Sequence, residues 1–460
     1  MSARRLSDVA AATGGRLLGK DRNFLYVSTD TRKIGGDELF VALRGARYNG
    51  HDYVVQAEKL GAAGALVEHP VASHLPQIVV ADTRRALGAW AAHWRRGFDI
   101  PVVAVTGSNG KTTVKEMIAS ILRQRGETLA TRGNQNNDVG VPLTLLGLGA
   151  QHRAAVIELG TNHPGEIEYL ASLVSASVGV VTNAGSAHLE ALGSVRGVAV
   201  EKGALFAGLR ADGTAVINAD DEFAPLWRQL AGNRGQCSFG MTEAADFHPA
   251  PDSLRQLPSG AWDFTLQSPA GSAALRLSLP GRHNVMNALA AAATASAAGA
   301  SLAEISAGLA SVPMTAGRLI IVPGVRGCRL IDDSYNANPL SLKAAMEFAV
   351  SLGDPVWLVL GDMGELGTRA AALHADCGEL ARRLGVLRLW TFGSLSLHAT
   401  EKFGTGAEHF VDLDALIKAL RANLRAGVTV LIKGSRSMRM ERVVEALRAS
   451  QTLAGAAGGG

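Results

Sequence analysis

The segment PVVAVTGSNGKTTVKEM, residues 101–117, constrains the fold more than any other part of the chain. Its apolar, β-branched start is typical of a buried strand. Gly107 to Gly110 are typical of a tight turn, and the residues from Lys111 onward are typical of a helix. Backbone N–H groups in such a turn and at a helix N-terminus converge on an anion. The segment therefore predicts a phosphate-binding loop, with Lys111 reaching the β- and γ-phosphates and Thr112 holding Mg²⁺. The predicted nucleotide contacts of this loop are Gly107, Ser108, Asn109, Gly110, Lys111, Thr112 and Thr113.

Short β-rich runs alternate with helical patterns in three successive segments, which is typical of parallel sheets built from βαβ units. Residues 1–82 hold ELFVALRG, ALVEH and QIVVAD, and residues 83–316 hold PVVAVTG, AAVIELG, VGVVTNAG and TAVINAD, followed by a less regular patch at 236–280. Residues 317–460 hold RLIDDSY, VWLVLGDM, LRLWTFG and VTVLIKGS and end in a low-complexity tail, 452–460, which we expect to be disordered. The sequence predicts an α/β protein with a small α/β domain, a central P-loop domain with a parallel sheet, and a Rossmann-like C-terminal domain.

Composition excludes several classes of function. The 45 basic and 41 acidic residues are dispersed along the chain, which argues against a nucleic-acid-binding tail and suits small anionic substrates. Cys237, Cys328 and Cys377 lie far apart without CxxC spacing, so we expect a reducing compartment and no zinc site. The N-terminus has no secretion-signal pattern, and Ala288–Ala300, the longest low-polarity run, is too short to span a membrane. We expect a cytoplasmic protein.

Two further strands predict metal ligands near the phosphate loop. AAVIELG ends in Glu158, and VGVVTNAG is followed by HLEALGS, which contains His188. Open α/β sheets bind ligands at the carboxyl ends of their strands, where both side chains should lie. A histidine taken alone is more often a surface or structural residue, but its place after a buried strand favours a ligand. Glu158 and His188 therefore join Thr112 as predicted Mg²⁺ ligands.

Several sequence blocks in a fixed order resemble the Mur ligases, ATP-dependent amide-bond ligases of cell-wall synthesis. The blocks are STDTRKIGGDELFVALRGARYNGHDY, TGSNGKTTVKEM, GNQNNDVGVPLTLL, IELGTNHPGEIEYL, AHLEALGS, GRHNVMNALAAAA, DDSYNANPLS, LGDMGELG and LIKGSRSM. The strict P-loop pattern has a glycine where this chain has Val105, and the form without it resembles that of Mur ligases and folylpolyglutamate synthases. The resemblance covers nearly the whole chain, including the first segment, which a folylpolyglutamate synthase lacks.

The resemblance implies a reaction. ATP phosphorylates the terminal carboxylate of UDP-N-acetylmuramoyl-tripeptide, and D-alanyl-D-alanine then attacks the acyl phosphate, so that ADP and phosphate are formed. Cofactors would be ATP and Mg²⁺, with the UDP substrate on the first domain and the dipeptide on the third. We expect a monomer without nucleic-acid partners, and hinges near residues 83–99 and 312–318 that let the domains close.

The resemblance also implies substrate contacts. Asp30, Thr31, Arg32, Asn49, Gly50 and His51 would hold the uridine diphosphate, although such residues often simply form β-turns. Asn134, Asn136 and Asn137 would bind phosphate or sugar oxygens, with turn formation as the alternative.

For the nucleotide, the resemblance points to residues around the second domain junction. Asn284 would lie against adenine, with helix capping as the alternative. Arg318 would swing onto the γ-phosphate, a task that suits its planar, permanently charged group. Asp333 would contact the ribose, with Asn336 and Asn338 nearby. For Lys433, Ser435 and Arg436, substrate binding and a simple strand-to-helix turn are equally consistent with the sequence.

VAVEKGALFAGL resembles a block whose lysine is carbamylated by CO₂ in this family. A carbamate would turn Lys202 into an anionic oxygen ligand, the type that Mg²⁺ prefers. The alternative is an ordinary solvated helix lysine, and Glu201 stands where the family often has alanine. The resemblance thus implies a catalytic set of Lys111, Lys202, His188 and Arg318.

Two other functions remain open at this stage. One is the Mur ligase that adds the third amino acid, although the Asn-Pro-Arg motif expected of a diaminopimelate-adding enzyme is absent from the third segment. The other is a non-catalytic ATP-binding switch, which the combination of Lys111, Thr112, Glu158 and His188 argues against.

Overall fold

The structure is a computed structural model that describes residues 3–257, 259–313 and 316–449. The tail at 452–460, which we expect to be disordered, lies outside the described residues. The first domain contains β1 (Arg4–Arg5), α1 (Leu6–Thr13), β2 (Arg16–Leu18), β3 (Asn23–Phe24), β4 (Tyr26–Ser28), β5 (Glu38–Val41), α2 (Val54–Lys59), β6 (Gly64–Val67) and β7 (Gln77–Val79). Its sheet has the order β2-β7-β6-β5-β4 and is parallel except at the edge strand β2.

The central domain begins after the connecting helix α3 (Thr83–Arg96). Its elements are β8 (Val102–Thr106), α4 (Lys111–Arg123), β9 (Thr128–Ala130), α5 (Gly140–Leu145), β10 (Ala154–Glu158), α6 (Glu166–Val174), β11 (Val178–Val181), α7 (Leu189–Leu192), α8 (Val195–Ala207), β12 (Thr214–Asn218), α9 (Ala224–Ala231), β13 (Gly235–Phe239), β14 (His248–Pro249), β15 (Arg255–Gln256), β16 (Trp262–Ser268), β17 (Gly271–Leu277), α10 (Arg282–Ala297) and α11 (Leu302–Ala310). The main sheet, β13-β12-β11-β8-β10-β9, is parallel throughout.

The irregular patch at 236–280 contributes to two sheets. Its first residues form β13 at the edge of the main sheet, and the rest form the antiparallel strands β14 to β17. The alternation in WDFTLQS and ALRLSLP places one face of β16 and β17 in a buried cluster with the Ala-rich helix α10. The small side chains of α10 allow it to pack closely against α4, as a buried helix. No described helix is both long enough and apolar enough to cross a bilayer.

The third domain contains β18 (Ile320–Pro323), β19 (Arg329–Asp333), α12 (Pro339–Ser351), β20 (Val356–Gly361), α13 (Ala370–Arg383), β21 (Arg388–Phe392), α14 (Leu397–Phe403), β22 (Ala407–Phe410), α15 (Leu413–Asn423), β23 (Thr429–Lys433) and α16 (Glu441–Leu447). Its sheet, β18-β19-β23-β20-β21-β22, is parallel except for the edge strand β18, which runs antiparallel to β19. Hydrophobic clusters cover both faces, as in a doubly wound fold. The predicted three-domain α/β architecture is confirmed.

Helix α3 packs against both the first and the central domain. The Asp82 side chain caps it by accepting hydrogen bonds from the N–H groups of Arg84 and Arg85. The helix contacts α1 on one side and α5 and α6 on the other, and buried residues of both domains join one hydrophobic cluster. Helix α3 therefore occupies most of the hinge predicted at 83–99. Bending at this position would expose the hydrophobic core that the two domains share, which argues against a hinge there. The second predicted hinge, near 312–318, includes positions 314–315, which lie outside the described residues, and it stays a prediction; the domain that follows has its own core clusters.

Candidate active site

A cavity of about 660 Å³ lies between the central and C-terminal domains. Its walls include the loop before α4, the carboxyl end of β10, the start of α10 and the carboxyl ends of β19 and β23. Two parallel sheets thus present their ligand-binding edges to the same space. The volume is that of a small-molecule site.

The loop before α4 has a conformation that depends on two glycines. Gly107 and Gly110 have φ angles of 148° and 80°. A Cβ atom on Gly107 would lie 1.8 Å from Thr182 Oγ1, and one on Gly110 would lie 2.5 Å from Asn287 Oδ1. Larger residues would displace the loop at both positions. The following residues Ser108, Asn109, Gly110, Lys111, Thr112 and Thr113 line the cavity.

The end of β11 fixes this loop. Thr182 Oγ1 donates a 2.6 Å hydrogen bond to Asn109 O, and Asn109 N donates to Asn183 Oδ1 at 3.0 Å. Lys111 Nζ donates to Gly107 O at 2.8 Å, so the ammonium folds back over the turn. Burial lowers the pKa of Lys111 from its usual value. The loop is therefore preorganised, with a cation above it.

The three predicted metal ligands other than Lys202 all line the cavity. Glu158, at the end of β10, is 2% exposed; its Oε1 accepts from Asn136 Nδ2 at 2.9 Å, while its buried Oε2 has no hydrogen-bond partner in the described part of the chain. Thr112 Oγ1 accepts from Arg318 Nη2 at 3.0 Å. His188, which precedes α7, places Nδ1 2.6 Å from Glu365 Oε2 of the C-terminal domain.

This donor set fits a nucleotide-bound cation rather than a metal held by protein alone. Within residues 3–257, 259–313 and 316–449 there is no cluster of three or more His, Cys, Asp or Glu side chains suited to a metal. Mg²⁺ is usually bound by one or two carboxylates together with water and substrate phosphates. The unpartnered Glu158 oxygen and the Thr112 hydroxyl meet that requirement next to the phosphate loop.

Lys202 lies on α8 and is 1% exposed, so it is not a solvated helix lysine. Burial, reinforced by the charge of Lys111, lowers its pKa well below the usual value. Burial thus favours the neutral amine, which is the nucleophilic form, over the ammonium.

The neighbouring Glu201 is also buried and binds the loop before α6. Its carboxylate accepts hydrogen bonds from Thr161 Oγ1 at 3.2 Å, Gly165 N at 2.8 Å and Ile167 N at 2.8 Å. Because Thr161 lines the cavity, Glu201 anchors part of the cavity wall to α8, the helix that carries Lys202.

The residues predicted to hold uridine diphosphate lie away from this cavity, since no described cavity-lining residue belongs to the first domain. Arg32 pairs with Asp30 at 2.8 Å, which holds the pKa of Asp30 at about 2. Asn49 Oδ1 accepts from His51 N, and buried His51 uses its Nε2 to accept from Glu68 N. Thr31 is likewise buried in a short 3₁₀ turn. Local hydrogen bonds account for these side chains, and their role toward the UDP group stays a prediction.

Gly50 and the asparagine loop have further local explanations. A Cβ atom on Gly50 would lie 2.6 Å from Leu43 N, so glycine permits a close backbone approach. Asn136 and Asn137 line the cavity, and Asn137 Oδ1 also accepts from Gly140 N at the start of α5. Asn134 is exposed and is not a cavity-lining residue.

The nucleotide residues predicted around the second junction do meet at the cavity. Asn284 lines it, with Nδ2 donating to Pro280 O at 2.7 Å. Arg318 stacks over the Tyr335 ring, 4.5 Å from its centroid. Asp333 accepts from Lys433 Nζ at 2.5 Å, and Asn336 supplies a backbone oxygen to the same ammonium at 2.9 Å.

Sequence reasoning missed two cross-domain contacts. Asn338 Nδ2 donates to Asn109 Oδ1 of the phosphate loop at 2.7 Å, and Glu365 pairs with His188. His188 and Lys111 lower the pKa of Glu365. Both residues belong to conspicuous blocks, DDSYNANPLS and LGDMGELG, but sequence gives no direct signal for partners about 180 to 230 positions away.

Comparison with known proteins identifies relatives over nearly the whole chain. Three family models match: "Mur ligase family, catalytic domain" at residues 24–95, "Mur ligase middle domain" at 105–295, and "Mur ligase, glutamate ligase domain" at 317–436. The UDP-N-acetylmuramoyl-tripeptide--D-alanyl-D-alanine ligase of Escherichia coli is 44% identical over 449 residues, which cover 97% of this chain and 99% of the relative.

Solved structures of Mur ligases also resemble this chain over nearly its whole length. A crystal structure of MurF from Acinetobacter baumannii has a TM-score of 0.91 and 35% identity, covering 97% of this chain and 98% of that one. The MurF ligase of Thermotoga maritima, in complex with ADP, has a TM-score of 0.80 and 26% identity, covering 92% and 96% of the two chains.

Proposed function

This chain belongs to the Mur ligase family, and from that premise we propose that it joins D-alanyl-D-alanine to UDP-N-acetylmuramoyl-tripeptide with ATP, forming ADP and phosphate. The activity is the one in the name of its 44% identical relative. The observation that carries the proposal is the cavity between two sheet edges, because a preorganised phosphate loop and a second, polar domain face the same space. ATP use is supported by the ADP complex of the Thermotoga maritima relative.

In the first half-reaction, an oxygen of the tripeptide carboxylate attacks the γ-phosphorus and ADP leaves. The chain contributes mainly positioning and charge neutralisation, as in other phosphoryl transfers. Lys111 and Arg318 are the cations of the loop and the domain junction, and they would balance the charge that develops on the transferred group. The N–H groups of Gly110 and of the first residues of α4, Lys111 and Thr112, would bind the phosphates.

In the second half-reaction, the amine of the dipeptide attacks the carbonyl carbon of the acyl phosphate. The C–O bond to phosphate breaks, phosphate leaves, and the amine nitrogen gives up one proton and keeps the other as the amide forms. The C-terminal domain would bind the dipeptide and keep water from the acyl phosphate. Contacts from Asn338 and Glu365 to the central domain support such a docked arrangement.

We assign the Mg²⁺ of this reaction to Thr112, Glu158 and His188. When bound, the cation neutralises phosphate charge and polarises the transferred group. The unpartnered oxygen of Glu158 supports the assignment. Lys202 adds an oxygen ligand if its neutral amine takes up CO₂, forming an N–C bond and releasing one proton. Its burial and low pKa support that step, since only the neutral amine reacts.

For the other substrate groups, we assign uridine diphosphate to the first domain through residues 30–32 and 49–51. Exposed Arg32 and the backbone of these turns are the groups open to it.

We further assign a cytoplasmic location and a monomeric state.

Phosphate release tests this function against its alternatives. The chain should release phosphate from ATP when UDP-muramoyl tripeptide and D-alanyl-D-alanine are both present, and the product mass should equal their sum less one water. Release with UDP-muramoyl dipeptide and a single amino acid would instead identify the ligase that adds the third residue. A switch would give no release that depends on both acceptors.

A further inference from the structure

A loop of the C-terminal domain crosses the domain interface at the predicted cation site. It follows β20, spans Gly361 to Gly367, and brings Glu365 Oε2 to 2.6 Å from His188 Nδ1. At Gly367 a Cβ atom would lie 3.3 Å from Glu190 Cα, so the backbones are close. Leu189, next to His188, packs against the core cluster of the C-terminal domain. The His188–Glu365 pair therefore lies beside a packed interface, with the His188 side chain 21% and the Glu365 side chain 59% exposed.

Both partners hold unusual backbone conformations. His188 has a φ of 55° and Glu365 a φ of 61°, in the left-handed region that residues other than glycine rarely adopt. Such conformations persist where surrounding structure enforces them, and they concentrate at functional sites. The strain accordingly marks these positions as constrained.

The loop that presents Glu365 is fixed by hydrogen bonds within its own domain. Gly364 N donates to Ser435 Oγ, and Ser435 Oγ donates to Asp362 O, both at 2.6 Å. Asp362 Oδ1 in turn accepts from Leu395 N at 3.0 Å and Ser396 N at 2.7 Å. Glu365 is thus held by a scaffold that moves with the C-terminal domain.

We propose that Glu365 is a positioning residue that orients His188 for cation binding when the C-terminal domain is docked. A carboxylate can only accept from Nδ1–H, and in the neutral imidazole that carries its proton on Nδ1 the Nε2 lone pair is free to ligate a metal. Ligating histidines commonly bind a carboxylate through their other nitrogen, and loss of that partner weakens metal binding. Here the carboxylate comes from another domain, so the cation site is complete only in the docked state.

The inference rests on the proposed function, because that function supplies the cation. It adds a coupling between cation binding and docking of the C-terminal domain. If Glu365 strengthens cation binding only in the docked state, the cation must favour docking by the same factor. Domain closure and assembly of the metal site would then be one process.

Mn²⁺ binding tests the proposal without turnover. Electron paramagnetic resonance would measure free Mn²⁺ during titration of the full chain with ADP and UDP-muramoyl tripeptide. Glu365→Ala should weaken protein-dependent Mn²⁺ binding about 10- to 100-fold. Glu365→Gln, whose amide oxygen can still accept from Nδ1–H, should retain part of the affinity. The control Glu379→Gln, at an exposed position on α13 of the same domain, should bind as the wild type does.

Two outcomes would overturn the inference, and they differ in how much of the proposed site they exclude. Wild-type affinity in both Glu365 variants would exclude the positioning role and leave the proposed ligase function intact. No protein-dependent Mn²⁺ binding in the wild type would remove the cation site as well. Circular dichroism of each variant checks folding, and Glu365→Gln preserves the side-chain shape in case Glu365→Ala does not fold.

Discussion

Lys433→Met should destabilise the C-terminal domain strongly. Lys433 is 2% exposed, and its ammonium donates to Asp333 Oδ2 at 2.5 Å and to Asn336 O at 2.9 Å. Methionine fills a similar volume but leaves the Asp333 carboxylate, whose side chain is only 14% exposed, with the Leu319 N–H as its remaining donor.

The magnitude follows from the loss of one member of a buried ion pair. Such a loss costs about 3–5 kcal/mol, and a value near 3 kcal/mol is expected because Asp333 can escape part of the penalty by binding a proton. Burial already raises the pKa of Asp333, against the lowering effect of Lys433. Removing Lys433 raises that pKa further. A carboxyl whose pKa is higher in the folded state contributes stability below its unfolded pKa of about 3.9 and loses it as pH rises.

Native-state hydrogen exchange in urea, read at amides of β19 and β23, would measure this loss domain by domain. The deficit of Lys433→Met should be small near pH 4 and reach about 3 kcal/mol near pH 7. Lys402→Met, at an exposed position on α14, should change stability by less than about 0.5 kcal/mol. A deficit under about 1 kcal/mol at pH 7, or an equal deficit at both pH values, would refute the reasoning.

Four further predictions concern the site. Lys111→Ala should lower kcat/KM for ligation by more than tenfold, or about 1.4 kcal/mol, without changing the circular dichroism; a smaller loss contradicts the role of the phosphate loop. Lys202→Ala should lose most activity and regain part of it with formate or acetate, and failure of every such carboxylate, with an unmodified Lys202 in electron density, contradicts carbamylation. Glu201→Ala should speed hydrogen exchange at Gly165 and Ile167, whose N–H groups lose their acceptor; unchanged exchange means that the anchor is unimportant. Solution scattering should give a smaller radius of gyration when ATP and the UDP substrate are bound, and an unchanged radius counts against closure.

The elements that sequence predicts well are those whose own residues are enough to determine their secondary structure. The strand, turn and helix of residues 101–117 follow from β-branched residues, glycines and the helix N-terminus, and all are present as β8, the loop and α4. Buried strands such as β10 and β20 were equally clear, because five or six consecutive residues in each are fully buried. A short continuous apolar run bounded by turn residues identifies such a segment without tertiary information.

Short edge strands were harder to predict. β13 is GQCSF, with only its last residue fully buried, and β18 begins directly after the domain junction and runs antiparallel to its neighbour. Partners along the sheet edge determine such strands more than their own sequence does.

Within the site, sequence identified groups but not their surroundings. It did not predict that Lys202 would be buried, since the moderately apolar helix around it gives little sign of which face is covered. Glu365 and Asn338 act through contacts between domains, which no local pattern encodes. His51 matched a substrate pattern, yet its ring is engaged inside the first domain.

We expect the proposed reaction to convert the tripeptide carboxylate to an acyl phosphate in the cavity between the central and C-terminal domains. Its most direct test starts from UDP-muramoyl tripeptide with both oxygens of the reacting carboxylate replaced by ¹⁸O, incubated with ATP and D-alanyl-D-alanine. Mass spectrometry of the products should find one ¹⁸O atom in the released phosphate and one in the new amide for each ligation. Unlabelled phosphate, or ¹⁸O in AMP, would contradict phosphoryl transfer to the carboxylate.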